Sequence, residues 1–223
     1  MTVPRRPSAP EPAAVEISYP GGAAEGVAWP WPSSDLALLV LHDLDADVDA
    51  VRWLCERAAS AGTHVLALDL PGHGLSGGDV YADGPALVAE AHRWLCDAAS
   101  GAVGLIVHGR SAHLLLSTDI EPPAVAVAFL DPQRDDHYGP TAECWRHVPK
   151  LVVLSKGASA TYAQETIAET TAWCLRADLV GLGEGGEDPE GFEIHVVSLA
   201  LKFLLEQAAF ALASRRTASG EER

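Results

Sequence analysis

Short apolar runs alternate with longer amphipathic stretches along most of this chain. Each run is almost continuously apolar, as expected of a parallel strand that is covered by helices on both faces. The predicted strands are 36–43, 63–72, 102–109, 124–132, 150–157 and 177–183. Because strands and helices alternate, the pattern predicts an α/β fold with a doubly wound, mostly parallel sheet.

The amphipathic stretches carry apolar residues at steps of three and four, which is the spacing of a helix with one buried face. They predict the helices 47–61, 85–99, 158–176 and 189–214. Gly62 is a typical stop for the first helix, and Asp188 with Pro189 is a typical start for the last. Ahead of all of them, "AVEISYP" and "GVAWPWP" flank a Gly-rich turn and predict an edge hairpin.

The length and composition indicate one folded domain. The chain has 223 residues, 48% of them hydrophobic, which suits a single core. We expect the domain to span 15–213. The segments 1–14 and 214–223 are polar or rich in Pro and Ala, so we expect both to be disordered.

The net charge of −16 argues against nucleic acid and anionic membranes as partners, since both carry the same sign as the protein. No apolar run approaches the ~20 residues of a membrane span. No apolar stretch follows the two arginines near the amino terminus, so we expect a cytoplasmic protein. The four cysteines and nine histidines lack metal-ligand spacing, so we expect reduced cysteines, no metal and no cofactor.

Polar and Gly-rich segments follow the predicted strands, at the edge where parallel sheets bind their ligands. They are His42-Asp43-Leu44, "DLPGHGLSGG" (69–78), "GRSAH" (109–113) and Asp131-Pro132. In this order they resemble the α/β-hydrolase superfamily, especially its small esterase and monoacylglycerol-lipase-like members. The resemblance covers about 35–210. Fewer than twenty residues separate Asp131 from Lys150, so we expect no cap domain.

The segment "GRSAH" (109–113) resembles the nucleophile elbow, a sharp turn from a strand into a helix that exposes a serine. The resemblance implies that Ser111 is the nucleophile. It also implies that the backbone N–H groups of Ala112 and Leu44 hold the oxyanion. His113 is a poor base for Ser111, because two residues along a helix turn a side chain by about 200°. We expect it to fill space beside the elbow instead.

A serine nucleophile needs a base, and the base needs an acid that orients it. The family places its acid at the segment that here reads "GASA" (157–160), which has no aspartate. It places its histidine at the segment that here reads "GEGGED" (183–188), which has no histidine. The candidates elsewhere are His195 and His137 for the base and Asp131 for the acid.

Four further residues are expected to line the substrate site: His42, Asp43, His73 and Arg110. Asp43 stands where the family has glycine, so its carboxylate would oppose the negative charge that develops in acyl transfer. His73 is expected mainly to brace its loop.

These observations leave three functions open. The first is hydrolysis of a small ester or thioester through Ser111. The second is elimination or cyclisation of a small molecule, with His42, His73 or His137 as acid or base. The third is a non-catalytic homologue that binds a small molecule or a protein partner. Whether the chain forms a homo-oligomer is also open.

Overall fold

Eight strands form one sheet in the computed structural model, which describes residues 10–31, 33–99, 101–154, 174–178 and 189–218. The strands are β1 (Ala13–Tyr19), β2 (Gly22–Trp29), β3 (Leu36–Leu41), β4 (His64–Leu68), β5 (Ala102–His108), β6 (Val127–Leu130), β7 (Lys150–Leu154) and β8 (Cys174–Asp178). Their order across the sheet is β1-β2-β4-β3-β5-β6-β7-β8. The pairs β1–β2 and β2–β4 are antiparallel and all others are parallel. The predicted sheet and edge hairpin are confirmed.

Helices cover both faces of this sheet. They are α1 (Arg52–Ser60), α2 (Val80–Ala98), α3 (Ser111–Ser117) and α4 (Pro189–Ala218), with short 3₁₀ helices at Val48–Val51 and Glu143–Trp145. Helices α2 and α3 pack on one face, and α1 and α4 on the other. Within β3, Leu39 and Leu41 face the first layer, whereas Leu38 and Val40 face the second. A strand buried on both faces is continuously apolar, which is why the runs predicted the strands.

Some element boundaries differ from the prediction. Helix α2 begins at Val80 instead of 85, because the Asp79 side chain accepts the Tyr81 N–H and caps it there. Pro85 therefore lies inside the helix. Strand β8 begins at Cys174, so a helix through 176 is wrong; the rest of that helix (158–173) lies outside the described residues.

Both ends of the domain extend further than expected. Strand β1 begins at Ala13, and α4 continues to Ala218. Asp188, the expected start signal of α4, lies outside the described residues, as does 179–183 of the last predicted strand.

Helix α4 is longer than the predicted range 189–214, and it contains a long apolar segment. Its segment His195–Arg215 has 21 residues and a mean hydropathy of 1.7, enough to cross a membrane by length and composition. The expectation that no apolar run approaches this length is therefore wrong. Val196, Ala200 and Leu204 on the same segment are buried in the core, and a core helix of a soluble protein passes the same test.

The connection from β6 to β7 contains a loop and the short helix Glu143–Trp145. This agrees with the prediction that the insertion is too short for a cap domain. The loops that follow β3, β4, β5 and β6 define what we call the carboxyl edge of the sheet.

A buried histidine on α2 makes the stability of the fold depend on pH. The side chain of His92 is fully buried and its Nε2 has no hydrogen-bond partner in the described part of the chain. Burial lowers its pKa from 6.5 to about 4. As the pH falls below 6.5 the unfolded chain binds this proton first, so stability is lost between about pH 6.5 and pH 4.

We expect His92→Leu to flatten this loss. Between neutral pH and about pH 4, the free energy of unfolding should fall by up to about 3 kcal/mol less in the variant than in the wild type. Urea unfolding across this pH range measures the difference. The exposed His147 supplies the control His147→Gln, which should keep the wild-type profile. Parallel profiles for wild type and His92→Leu would contradict the assignment.

Candidate active site at the carboxyl edge

The sharp turn between β5 and α3 is made by Gly109. Its φ of +59° lies in the left-handed region, which glycine enters at little cost. Arg110 is the N-cap of α3, and Ser111 is the first residue of that helix. The predicted strand, turn and helix are therefore present, but the turn residue lies two positions before Ser111. The register predicted for the elbow is wrong.

The Ser111 side chain points into the protein. It is fully buried, and its hydroxyl donates a hydrogen bond to the carbonyl oxygen of His42 at 2.5 Å. A hydroxyl has one proton to donate, so the proton that a base would remove is bound to the backbone. The N–H of Ala112, predicted to hold the oxyanion, instead donates to the carbonyl oxygen of Gly109 at 3.2 Å.

The Asp43 carboxylate takes two backbone N–H groups at this turn. Its Oδ1 accepts the N–H of Leu44 at 2.7 Å and the N–H of Arg110 at 3.0 Å. In the α/β-hydrolases that the sequence resembles, the oxyanion hole is formed by the N–H that follows the nucleophile and an N–H from the loop after β3. With Gly109 at the turn, these are the groups of Arg110 and Leu44. The carboxylate therefore occupies the position of the oxyanion.

The same carboxyl group fills the space above Gly109. A β-carbon at position 109 would lie 2.2 Å from both Cγ and Oδ2 of Asp43. Such distances are far below van der Waals contact, so a side chain at 109 and the carboxylate of Asp43 exclude each other. The Asp43 carboxyl group therefore lies where a side chain at position 109 would begin.

Arg110 completes the charged part of the site. Its guanidinium pairs with Asp45, and its Nε lies 3.8 Å from Oδ1 of Asp43. Burial opposes the charge of Arg110, but the hydrogen bond and charge of Asp45 and the charge of Asp43 outweigh it and raise the pKa. The guanidinium therefore stays protonated between the two carboxylates.

The histidines of the loops after β3 and β4, His42 and His73, form hydrogen bonds with backbone groups. Nε2 of His42 accepts the N–H of Leu70 at 3.0 Å, so its Nδ1 carries the proton and donates to the carbonyl oxygen of Asp43 at 2.7 Å. Burial lowers the pKa of His42, which favours this neutral form. Nε2 of His73 lies 2.7 Å from the carbonyl oxygen of Leu44. The prediction that His73 braces its loop is confirmed.

His113 ties α3 to the loop that follows β6. Its Nδ1 accepts the N–H of Asp135 at 3.1 Å, and its Nε2 lies 3.0 Å from the carbonyl oxygen of Gly139. The ring is 7% exposed. The ring packs beside the turn, as predicted, and its two hydrogen bonds order the loop after β6.

That loop carries an aspartate and histidine pair with a buried carboxylate and an exposed imidazole. Nδ1 of His137 lies 2.8 Å from Oδ1 of Asp135, and the His137 ring stacks on Tyr81 with ring centres 4.3 Å apart. Burial opposes ionisation of Asp135, but its hydrogen bonds from His137 and from the Tyr81 hydroxyl outweigh burial and lower its pKa. The His137 side chain is 67% exposed, so the carboxylate orients an accessible imidazole.

The other predicted base and acid, His195 and Asp131, lie on α4 and at the end of β6. His195 is exposed on α4, whereas the Ser111 hydroxyl is fully buried. Asp131 follows β6 with a φ of +45°, and its N–H donates to the carbonyl oxygen of Val153. The segments 157–160 and 183–188, where the family places its acid and histidine, lie outside the described residues.

A cavity of about 310 Å³ opens beside Asp43. Its walls come from the ends of β3, β5 and β6, from the loop after β3 and from α1. The lining residues are Val40, Leu41, Asp43, Asp45, Ala46, Ala50, Val51, Trp53, Leu54, Ile106, His108 and Leu130. Most of these are apolar, and the polar ones lie at the carboxyl edge. For metal binding, no group of three or more His, Cys, Asp or Glu side chains comes together within the described ranges.

Sequence reasoning missed Gly109 and Asp135. A signal for Gly109 exists in "VHGRS" (107–111), because only its glycine enters the left-handed region without a steric penalty. Asp135 has no such signal, since its role depends on Tyr81 and His113, which lie far away in the sequence.

Solved esterases and serine hydrolases have a similar structure. An esterase of Pyrococcus furiosus superposes with a TM-score of 0.71 at 15% identity, covering 89% of this chain and 92% of the esterase. A serine hydrolase homologue from Coxiella burnetii gives 0.66 at 13% identity, covering 86% and 97%. A thermostable carboxylesterase from a metagenomic library gives 0.66 at 14%, covering 92% and 91%.

No model of a known protein family matches the chain, and no curated protein matches it. The likeness therefore concerns the fold. Together with the strand order and the turn after β5, it shows that this chain has the α/β-hydrolase fold.

Proposed function

We propose that this chain binds a small molecule at the carboxyl edge and does not hydrolyse esters or thioesters through a serine. The observation that supports this most directly is the Asp43 carboxylate on the N–H groups of Leu44 and Arg110. In acyl transfer these two groups stabilise the negative oxygen of the tetrahedral intermediate. Here they already hold a negative oxygen of the protein.

While Asp43 stays there, the carbonyl oxygen of a bound substrate cannot be stabilised as an oxyanion by these N–H groups. The developing oxyanion would have to share both N–H groups with a carboxylate, and like charges at this distance repel strongly in a partly buried site. The turn residue Gly109 has no side chain that could attack. The three requirements of a serine esterase, namely nucleophile, oxyanion hole and base, are therefore unmet by the described residues at the turn.

Hydrolysis through Ser111 is the competing interpretation. It would require the hydroxyl to leave the carbonyl oxygen of His42, and Asp43 to leave the N–H of Leu44 and Arg110. Both changes break hydrogen bonds in buried or partly buried surroundings, which costs free energy before any chemistry begins. Ligand binding needs neither change, and a fold can keep its pocket without its chemistry.

The wild-type protein should resist labelling by a fluorophosphonate probe and should not turn over p-nitrophenyl acetate above the rate of Ser111→Ala. The physical reason is that the only proton of the Ser111 hydroxyl is bound to a backbone carbonyl. Mass spectrometry of the intact protein measures the labelling. Stoichiometric labelling that disappears in Ser111→Ala would refute the proposal.

A second candidate, non-hydrolytic acid and base chemistry, is favoured by the His137 and Asp135 pair. A carboxylate that orients an exposed imidazole is the arrangement of a general base. The pair lies on the loop after β6, at the same edge of the sheet as Asp43.

Kemp elimination of 5-nitrobenzisoxazole tests this second candidate, because the reaction needs only a positioned base. If His137 is such a base, His137→Gln should lower the rate by about 10²-fold. Asp135→Asn should lower it as well, and the exposed control His147→Gln should not. Equal rates for wild type, His137→Gln and His147→Gln would exclude the candidate.

A further inference from the structure

The cavity beside Asp43 has apolar walls and one charged end. Val40, Ile106 and Leu130 form walls at the ends of three parallel strands, and Trp53 forms the wall on α1. Nε1 of Trp53 donates to the carbonyl oxygen of Ala50 at 3.0 Å, which fixes the indole in place. A volume of about 310 Å³ is at the lower end of the range of small-molecule sites. It suits a short hydrocarbon chain.

The charged end of the cavity offers an unused acceptor. Among the described residues, the hydrogen bonds and the ion pair of the Asp43 carboxylate are made by Oδ1, which faces Leu44 and Arg110, whereas Oδ2 lies above Gly109. Oδ2 is therefore available to a ligand. The Asp43 side chain is 17% exposed, so an ion pair formed there would be largely shielded from water.

The charge balance at this end is negative. Asp43 and Asp45 share one guanidinium, that of Arg110, and His108 is the other polar residue on the lining. In an esterase the free N–H groups at this place attract a negative oxygen. Here the carboxylate reverses that preference, and the net charge of −16 attracts cations from solution.

We infer that the ligand is a small organic cation of the alkylammonium class. Its ammonium group donates a charge-assisted hydrogen bond to Oδ2 of Asp43, and its hydrocarbon chain lies in the cavity against Trp53. Esters, carboxylates and phosphates are disfavoured because the site presents negative charge to them. This inference rests on the proposed ligand-binding function.

Calorimetric titration of the full chain with hexylammonium, hexanoate and hexanol at equal ionic strength tests the inference. These probes share one hydrocarbon chain and differ in the charge of the head. We expect hexylammonium to bind at least about tenfold more tightly than the other two. Hexyltrimethylammonium distinguishes hydrogen bonding from charge alone, and we expect it to bind more weakly than hexylammonium because it has no N–H.

Three variants separate the contribution of the ligand's charged head from that of the cavity walls. Asp43→Asn keeps an acceptor oxygen for Leu44 and Arg110 but removes the charge, and it should weaken hexylammonium binding about tenfold. Asp49→Asn removes the same charge from a 77% exposed side chain after the same strand, and it should change binding less than about twofold. Ala50→Phe fills the cavity and should weaken binding without changing any charge.

Several results would overturn the inference. Equal binding of hexanol and hexylammonium would show a purely apolar cavity, and equal weakening by Asp43→Asn and Asp49→Asn would show attraction by net charge alone. Failure of hexylammonium to bind the folded protein would also refute it. These outcomes leave the non-hydrolytic part of the proposed function standing, since that part fails only if Ser111-dependent labelling or ester turnover is found.

Discussion

One carboxylate determines what this edge of the sheet can do. Oδ1 of Asp43 accepts two backbone N–H groups that come from different loops, those of Leu44 and Arg110. It thereby joins the end of β3 to the start of α3. The same carboxyl group excludes any side chain at Gly109. A single interaction therefore holds the turn, occupies the N–H groups of Leu44 and Arg110, and places a negative charge beside them.

The residues behind Asp43 hold this arrangement in place. His42 links the carbonyl oxygen of Asp43 to the N–H of Leu70, and the buried Asp69 accepts the N–H groups of Val48 and Leu75. Each of these bonds gives a partner to a backbone group of the loops behind Asp43. The sequence features shared with hydrolases thus support the loops of the fold. They are present here with Gly109 at the turn, as expected when fold and chemistry are separable.

The fold was predictable because its signals are local, and the site was not because its contacts are distant. A strand buried on both faces must be apolar throughout, so β3 and its neighbours can be read directly from the sequence. The pattern of glycine and serine after β5 also predicts a turn, but not which residue occupies it. Asp43 and Arg110 are 67 positions apart, and only the folded chain brings the carboxylate to that N–H. The start of α2 was predicted wrongly for a different, local reason, because the Asp79 cap outweighs the usual preference of proline for the first helical position.

The hydrogen bonds of Asp43 are measured most directly by NMR of the amide protons of Leu44 and Arg110 in the wild type, in Asp43→Ala and in the exposed control Asp49→Ala. Because both amides donate to the same carboxylate oxygen, we expect both proton signals to move upfield and both amides to exchange faster with solvent in Asp43→Ala, but not in Asp49→Ala. Unchanged shifts and exchange rates of both amides in Asp43→Ala would contradict the shared carboxylate.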